Sequence, residues 1–508
     1  MPQSPVTASD TGFAAASGSA VPDVRNESPR HGRSERDNLR GPLRGFLLLA
    51  AGQVAGQTIG FAVLIVVAHR IGPAGLGVYQ FATSVGTYFL LVSNLGLTTL
   101  AVRDVASGGR SAREVTGEVL ILRLTLAIAL FACLLLLAPL IAPSHQTRIV
   151  LDIVGVMLIV DALTFSWVLQ ARERLGILAL ATLGGQVVYG ALTPFLVTSG
   201  FKGVESYTWL NMLGLTVTAL LTAYVTLRHV GMPVMRRSVH QIVLRFKRSV
   251  PFAWSFVMIQ IYYTSDFIIL GYLRGTHSVG EYSVAYRLPQ AVIAIAGLWV
   301  TALYPYLARR STADRAVLRQ DTGRAASFAL VIGFPLIAGT VILAHSLLRS
   351  VFGDAFAPAA TAFTLLMANA AVIIVSVNFG YVLLAIGDER RYAIGVSVGA
   401  VVNIGLNVLL IPSWGPAGAA LATLGAELIV LAYMVQRSSA VLGRLSLEWT
   451  RVGRGFVAAL LMMALIAAIN NSLPAPATVV VGAVGFLAAA VALRAVTIDE
   501  LALWRRVS

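Results

Sequence analysis

The stretch Tyr262–Gln290, YYTSDFIILGYLRGTHSVGEYSVAYRLPQ, leaves one apolar run, turns, and enters the next. Asp266 lies inside the first run and Arg287 inside the second, with Gly275, Gly280 and Tyr282 punctuating the polar turn between them. The same punctuation occurs earlier, in IGPAGLGVYQFA at Ile71–Ala82. Sliding that copy forward by roughly 200 residues puts Gly72 on Gly275, Gly77 on Gly280, Tyr79 on Tyr282 and Ala82 on Ala285. A repeat this long in an apolar chain predicts two similar membrane bundles, each entered through the same kind of turn.

Composition supports the same class. Of 508 residues, 57% are hydrophobic and only 12% charged, where a soluble domain carries about a quarter. That much apolar surface has no place in a water-soluble core, so a polytopic membrane protein is expected. The net charge of +15 does not point to nucleic acid, because the basic residues cluster in short loops between apolar runs. Cys133 is the single cysteine and sits in an apolar run, so it is read as a small packing residue, with no disulfide within the chain.

Residues 1–41 are rich in Ser, Pro, Gly, Asp and Arg and are expected to be a disordered cytoplasmic tail. Fourteen spans of about 20 residues follow, near 46–68, 78–100, 118–141, 149–170, 176–198, 207–229, 250–272, 281–306, 326–347, 358–386, 392–412, 416–437, 455–471 and 477–495. With the N-terminus inside, alternate loops hold a roughly fourfold excess of Arg and Lys on the inner side, and the C-terminus also falls inside. The domain plan is an N-lobe at 42–230 with spans one to six, a linker at 231–249, and a C-lobe at 250–438 with spans seven to twelve. Residues 439–508 add spans thirteen and fourteen and a short cytoplasmic end. In the linker, Met235, Val239, Ile242 and Phe246 recur at helical spacing among Arg236, Arg237, Arg245, Lys247 and Arg248, which suits an amphipathic helix on an anionic leaflet.

No Gly-rich phosphate loop ends in Lys-Ser or Lys-Thr, no His and acidic cluster has metal spacing, and no outer loop is large enough for paired catalytic carboxylates. Nothing reads as an enzyme, and no bound cofactor or metal is expected. Ionisable residues inside spans are costly and therefore stand out: Asp161, Asp266 and Glu427 among the acids, Arg123 and Arg287 among the bases. Asp266 and Arg287 fall in adjacent spans at similar depth, so a salt bridge between them is expected either as a staple or as part of a site. Arg123 either snorkels to the headgroups or meets a phosphate with its planar fork. Gln53 and Gln57 lie one turn apart in the first span, and Tyr262, Tyr263, Gln290, Asn403 and Asn407 also sit within spans. Interhelical hydrogen bonding is the ordinary explanation for such groups; lining a wet, sugar-compatible cavity is the functional one.

Three stretches together resemble the polysaccharide-transporter, or lipid-linked oligosaccharide flippase, family of the multidrug/oligosaccharidyl-lipid/polysaccharide exporter superfamily. They are His69–Leu97, the Asp266 to Ala285 stretch, and NIGLNVLLIPSWGPAGAALATLGAE at Asn403–Glu427. The resemblance covers about 44–438. It implies two six-helix lobes around a cavity that opens alternately to each side of a bacterial cytoplasmic membrane. It implies a polyprenyl-pyrophosphate-linked glycan as substrate, with Arg123 and Arg287 as pyrophosphate or acidic-sugar contacts. Gln53, Gln57, Tyr262, Tyr263 and Gln290 are the accompanying substrate residues. It also implies coupling to a proton or sodium gradient through Asp161, Asp266 or Glu427. Membrane lipids, a polysaccharide polymerase or glycosyltransferases are the partners to expect. Spans thirteen and fourteen depart from the commonest twelve-span pattern and occur in the related lipid II flippases. The multidrug exporters of the superfamily are a further alternative. From a different class, a membrane glycan polymerase or ligase would need a large outer loop that is missing.

Overall fold

The computed structural model describes residues 34–108, 111–198, 203–234, 239–313, 315–470 and 472–496, with side chains from 48 onward except at 196–198, 239–256 and 298–313. In chain order the helices are α1 (Ser34–Asn94), α2 (Leu97–Ala106), α3 (Ala112–Ile141), α4 (His145–Ala162), α5 (Ser166–Ala171), α6 (Leu175–Thr198) and α7 (Val204–Val230). They continue as α8 (Val239–Arg274), α9 (Thr276–Ala313), α10 (Arg315–Phe352), α11 (Ala360–Ala385), α12 (Glu389–Leu442), α13 (Trp449–Ile469) and α14 (Ala475–Ala492), with a 3-10 turn at Asp354–Ala359. Helix is the economical answer for such a sequence, because it satisfies every backbone group inside the segment where lipid offers no partner.

Ten helical segments among the described residues are long and apolar enough to cross a membrane. Two of these, Leu48–Asn94 and Glu389–Leu442, are 47 and 54 residues long, more than twice what a bilayer core of about 20 residues requires. Each is a broken helix making two passes. The breaks fall at Gly72 (φ 63°) and Gly415 (φ 52°), left-handed positions that glycine reaches without a Cβ penalty. Both breaks read Gly-Pro-Ala-Gly, at 72–75 and 415–418, with proline in the first turn after the break, where its missing N–H costs nothing. With α8 and α9 counted, the passes number the fourteen expected, arranged as two six-helix lobes plus a terminal pair.

Two expectations are corrected. The second half of the expected linker, from Val239, is continuous with the seventh span, since α8 runs from Val239 to Arg274. Its expected apolar stripe from Met235 to Phe246 lies outside the described side chains. Cys133 is exposed rather than packed. On α3 the inward positions are Ala127, Leu134 and Ala138, all 0% exposed, and Cys133 turns away from them beside Leu136 and Leu140 on the lipid-facing side. The fourth span is also interrupted: α4 starts with Ser144 accepting a hydrogen bond from the Thr147 amide at 3.1 Å, and stops before α5 resumes at Ser166.

Call the face where residue 48 enters the terminal face, and the face carrying the breaks the turn face. At the turn face the two repeat copies meet. Gly72 and Gly275, aligned in sequence, both have positive φ (63° and 84°). Gly77 packs against the Thr276 carbonyl, and Gly280 against the Pro73 carbonyl, so each copy's glycine receives the other copy's backbone. Phe81 stacks edge-on against Tyr272 (5.4 Å between ring centres) and Phe61 against Phe352 (5.9 Å), while the Tyr272 hydroxyl donates to the Ile141 carbonyl at 2.6 Å. These contacts seal the lobes together through the largest apolar core, in which Phe81 and Tyr282 are wholly buried.

The last two helices pack on α10 through Val331, Leu343, Ala458, Met462, Ile466 and Phe486. Polar bolts hold them at the terminal face: the Glu448 amide donates to Ser327 Oγ at 2.9 Å, Arg451 Nε donates to the Ala495 carbonyl at 2.9 Å, and Arg324 pairs with Glu448 at 3.4 Å.

Candidate functional site

The most concentrated polar constellation inside the bundle is built around Asp266, 1% exposed, on α8. Its carboxylate accepts three side-chain hydrogen bonds: from Tyr282 Oη of α9 at 2.8 Å, from Asn407 Nδ2 at 2.6 Å, and from Thr423 Oγ1 at 2.7 Å. Asn407 and Thr423 belong to the two arms of α12, before and after the Gly415 break. Asn403, one turn before Asn407, accepts from Asn407 Nδ2 at 2.9 Å and from Ser265 Oγ at 3.2 Å, and donates to Thr423 at 3.3 Å. Asn403 and Asn407 are 0% exposed, and Asn407 Oδ1 receives no hydrogen bond among the described residues. A buried carboxylate costs several kcal/mol unless it is hydrogen-bonded, and this one is held by three donors, with no cationic partner among the described residues.

One turn along both helices lies a second carboxylate. Tyr262 precedes Asp266 by one turn of α8, and Glu427 follows Thr423 by one turn of α12, about 5.4 Å along each axis. Tyr262 Oη donates to Glu427 Oε2 at 2.7 Å. The two helices therefore touch through two polar rungs, Asp266–Thr423 and Tyr262–Glu427. Glu427, 5% exposed, faces a cavity of about 130 Å³ walled by Tyr262, Tyr263, Ser376, Tyr381 and Tyr392.

The expected Asp266–Arg287 pair does not form. Asp266 points into its own lobe, whereas Arg287 is exposed and has no ion pair or hydrogen bond among the described residues. Helical spacing explains the divergence. On α9 the exposed stripe is Arg287, Gln290, Ala291, Ala294 and Ile295, while Tyr282, Ala285 and Tyr286 form the buried side. Arg287 lies within electrostatic reach of Tyr79 and Tyr207, which belong to the other lobe. Those two rings stack edge-on at 4.6 Å, with Tyr189 beside them at 5.9 Å from Tyr207. Beneath the turn-face seal, then, an unpaired guanidinium looks across at a tyrosine cluster. Gln290 shares its stripe, and Gln53 and Gln57 are exposed on the first arm of α1.

Arg123 and Asp161 find each other instead. Arg123, 3% exposed, donates through Nη2 to Asp161 Oδ2 at 2.6 Å and to the Asp161 carbonyl at 2.9 Å, and through Nη1 to the Thr164 carbonyl at 3.2 Å. The Thr164 carbonyl lies in the break between α4 and α5, and the Asp161 carbonyl accepts there from the Thr164 amide at 2.9 Å as well. The guanidinium thus bolts the interrupted span to α3, and its Nη atoms are taken up by Asp161 and Thr164. Arg123→Ala is expected to destabilise the protein by about 1–3 kcal/mol, because it leaves the half-buried Asp161 carboxylate and the Thr164 carbonyl without the guanidinium. Thermal unfolding in detergent checks this, and Arg123→Ala/Asp161→Ala should lose less than the two single changes summed.

Sequence reasoning singled out Tyr262, Asp266, Asn403, Asn407 and Glu427 but not Thr423, Ser376, Tyr381, Tyr392 or Tyr207. Thr423 is hidden in an Ala- and Gly-rich run, and its only sequence signal is its place one turn before Glu427.

The arrangement belongs to a known class of fold. The chain superposes on the "Lipid II flippase MurJ, inward closed conformation" with a TM-score of 0.75 at 15% identity, covering 90% of this chain and 99% of that one. It superposes on an inward-facing multidrug resistance MATE family transporter of the MOP superfamily with a TM-score of 0.62 at 17% identity, covering 76% and 95%. Residues 43–311 match the family described as polysaccharide biosynthesis protein, and the chain belongs to that family. Among its relatives, the "Probable flippase AglR" of Haloferax volcanii is 30% identical over 164 residues, 31% of this chain and 34% of that protein. The "Putative O-antigen transporter" of Escherichia coli K12 is 19% identical over 275 residues, 54% and 66% of the two chains. The chain thus spans less than two thirds of the length of either relative.

Proposed function

We propose that this protein is a flippase that carries a polyprenyl-pyrophosphate-linked oligosaccharide across a bacterial cytoplasmic membrane, with both termini cytoplasmic, by alternating access. The observation that carries the reading is Arg287: a cation within a membrane pass, exposed, without an ion pair or hydrogen bond among the described residues, and facing the other lobe beneath the turn-face seal. An unpaired guanidinium at that depth is costly unless an anion visits it, and its fork suits pyrophosphate. Gln290, Gln53 and Gln57 supply the amides a glycan head needs. Family membership and the names borne by the relatives support the same substrate class. Asp266 and Glu427, buried acids with no cationic partner among the described residues, are the carriers we assign for a coupling proton or sodium ion. The superposition on a lipid II flippase supports a second reading, in which the glycan is a peptidoglycan precursor.

The test is deletion of the gene, extraction of polyprenol-linked intermediates, and assay of their sidedness with a membrane-impermeant sugar probe. Complete glycan-lipid trapped on the inner leaflet supports the proposal, and its mass spectrum names the glycan. Unpolymerised units outside with normal sidedness would instead favour a polymerase, and an absent glycan phenotype would favour drug export. In the same strain, Arg287→Ala is expected to restore less than about a tenth of the flipping while unfolding near the parent temperature, since Arg287 is exposed and makes no ion pair or hydrogen bond among the described residues.

A further inference from the structure

Outside the polar constellations, a groove of about 610 Å³ lies on the terminal-face half of the N-lobe, between the first arm of α1 and α6. It exists because small residues floor it: Gly52 approaches Ala179 so closely that an added Cβ would stand 3.0 Å from the alanine's own. Leu48 and Leu180 form its rims, 49% and 70% exposed, and Ala51 opens into it. The single charged residue in the lining is Arg174, just before α6 begins, at the depth where a span meets the headgroups. Arg174 is exposed, and its side chain has no ion pair or hydrogen bond among the described residues.

An apolar trough ending in one free guanidinium is complementary to an amphiphile with a long hydrocarbon chain and an anionic head. The polar stripe beside it selects which amphiphile. Gln53 follows Gly52 directly and is turned about 100° round the same helix, so the groove runs into the amide-bearing side of α1. A chain lying in the trough places its phosphate at Arg174 and whatever the phosphate carries beside Gln53 and Gln57.

We propose that this groove is the loading site for the lipid part of the substrate: the polyprenyl chain lies between α1 and α6, and its phosphate pairs with Arg174. The inference rests on the flippase reading above, but its test does not. The full-length protein in phosphatidylcholine vesicles is photolabelled with a polyprenyl phosphate bearing a diazirine on its chain, and the labelled peptides are sequenced. Label should map to 48–55 and 174–183. Unlabelled polyprenyl phosphate should compete at least about tenfold better than phosphatidylglycerol. Arg174→Glu should weaken labelling about tenfold or more, as loss of a charge-assisted contact does. Ala51→Trp, which fills the trough from an exposed position, should also abolish labelling. Label elsewhere, or equal competition by phosphatidylglycerol, overturns the proposal, the latter by making the groove an ordinary lipid site. If flipping in the deletion assay is intact while the groove stays unlabelled, only the groove is lost. If the groove labels while glycan-lipid sidedness never depends on the protein, only the flippase reading is lost.

Discussion

Gly280→Ala, and equally Gly77→Ala, will hold the molecule with its turn face unsealed. Each glycine sits where a Cβ would collide with a backbone carbonyl of the other repeat copy, Thr276 for Gly77 and Pro73 for Gly280. A backbone carbonyl has no rotamer with which to retreat, so the helices must part. Overpacking of this kind costs about 1–3 kcal/mol. Because the strain falls on one conformation only, it converts into about a five- to 150-fold shift in the ratio of sealed to unsealed molecules. Flipping should fall by a similar factor while the protein still inserts and folds. The check is a Leu76→Cys reporter in a Cys133→Ala background. Leu76 is 1% exposed in the sealed form, so its thiol should resist an impermeant maleimide in the parent and react in the alanine variants. A silent thiol and normal flipping in Gly280→Ala would show that the glycine crossing is incidental packing.

Asp266→Asn is expected to fold and fail to transport. Replacing the carboxylate by alanine would strand three donors at a cost of about 3 kcal/mol or more, so loss of function there would be uninformative. Asparagine keeps the shape, and the network can absorb it. Thr423 already lies 3.0 Å from the Ala419 carbonyl, so its hydroxyl can donate there and accept from the new amide. What asparagine removes is the negative charge. If Asp266 carries the coupling cation, flipping should drop about a hundredfold or more with an unfolding temperature near the parent's, and dependence on the proton or sodium gradient should vanish from the residual activity. Glu427→Gln, which keeps an acceptor for Tyr262, tests the second assigned carrier on the neighbouring rung in the same way. Parent-like transport by Asp266→Asn would sink the carrier assignment and move it to Glu427.

Much of this fold was legible from apolar run lengths and from one repeated turn. The alignment marked Gly72 and Gly275 as equivalent turn positions; in the structure both hold left-handed backbone, and the aligned Gly77 and Gly280 touch. That works because the turn chemistry is local: a positive φ writes itself into sequence as glycine. The site was legible only as a set of depths. Asp266 lies more than 140 residues of chain from Asn407 and Thr423, and no periodicity connects it to them. The Asp266–Arg287 pair was the reasonable local guess. It failed because the two residues occupy opposite sides of their helices, which depends on how α9 rotates against the other lobe. The Arg123–Asp161 bolt was hidden for a related reason: it answers a break in the fourth span that an uninterrupted apolar run does not announce.

The break at Gly72 has one more consequence. The first arm of α1 bears the groove floor at Gly52 and the amides Gln53 and Gln57; the second bears Gly77 and Tyr79, which close the far side. With the lipid loaded in the groove as proposed, recognition and closure ride on one lever with its pivot at Gly72. A ligand that tilts the first arm exerts torque on the seal without any messenger passing through the C-lobe, so the two events keep time because they share a rod.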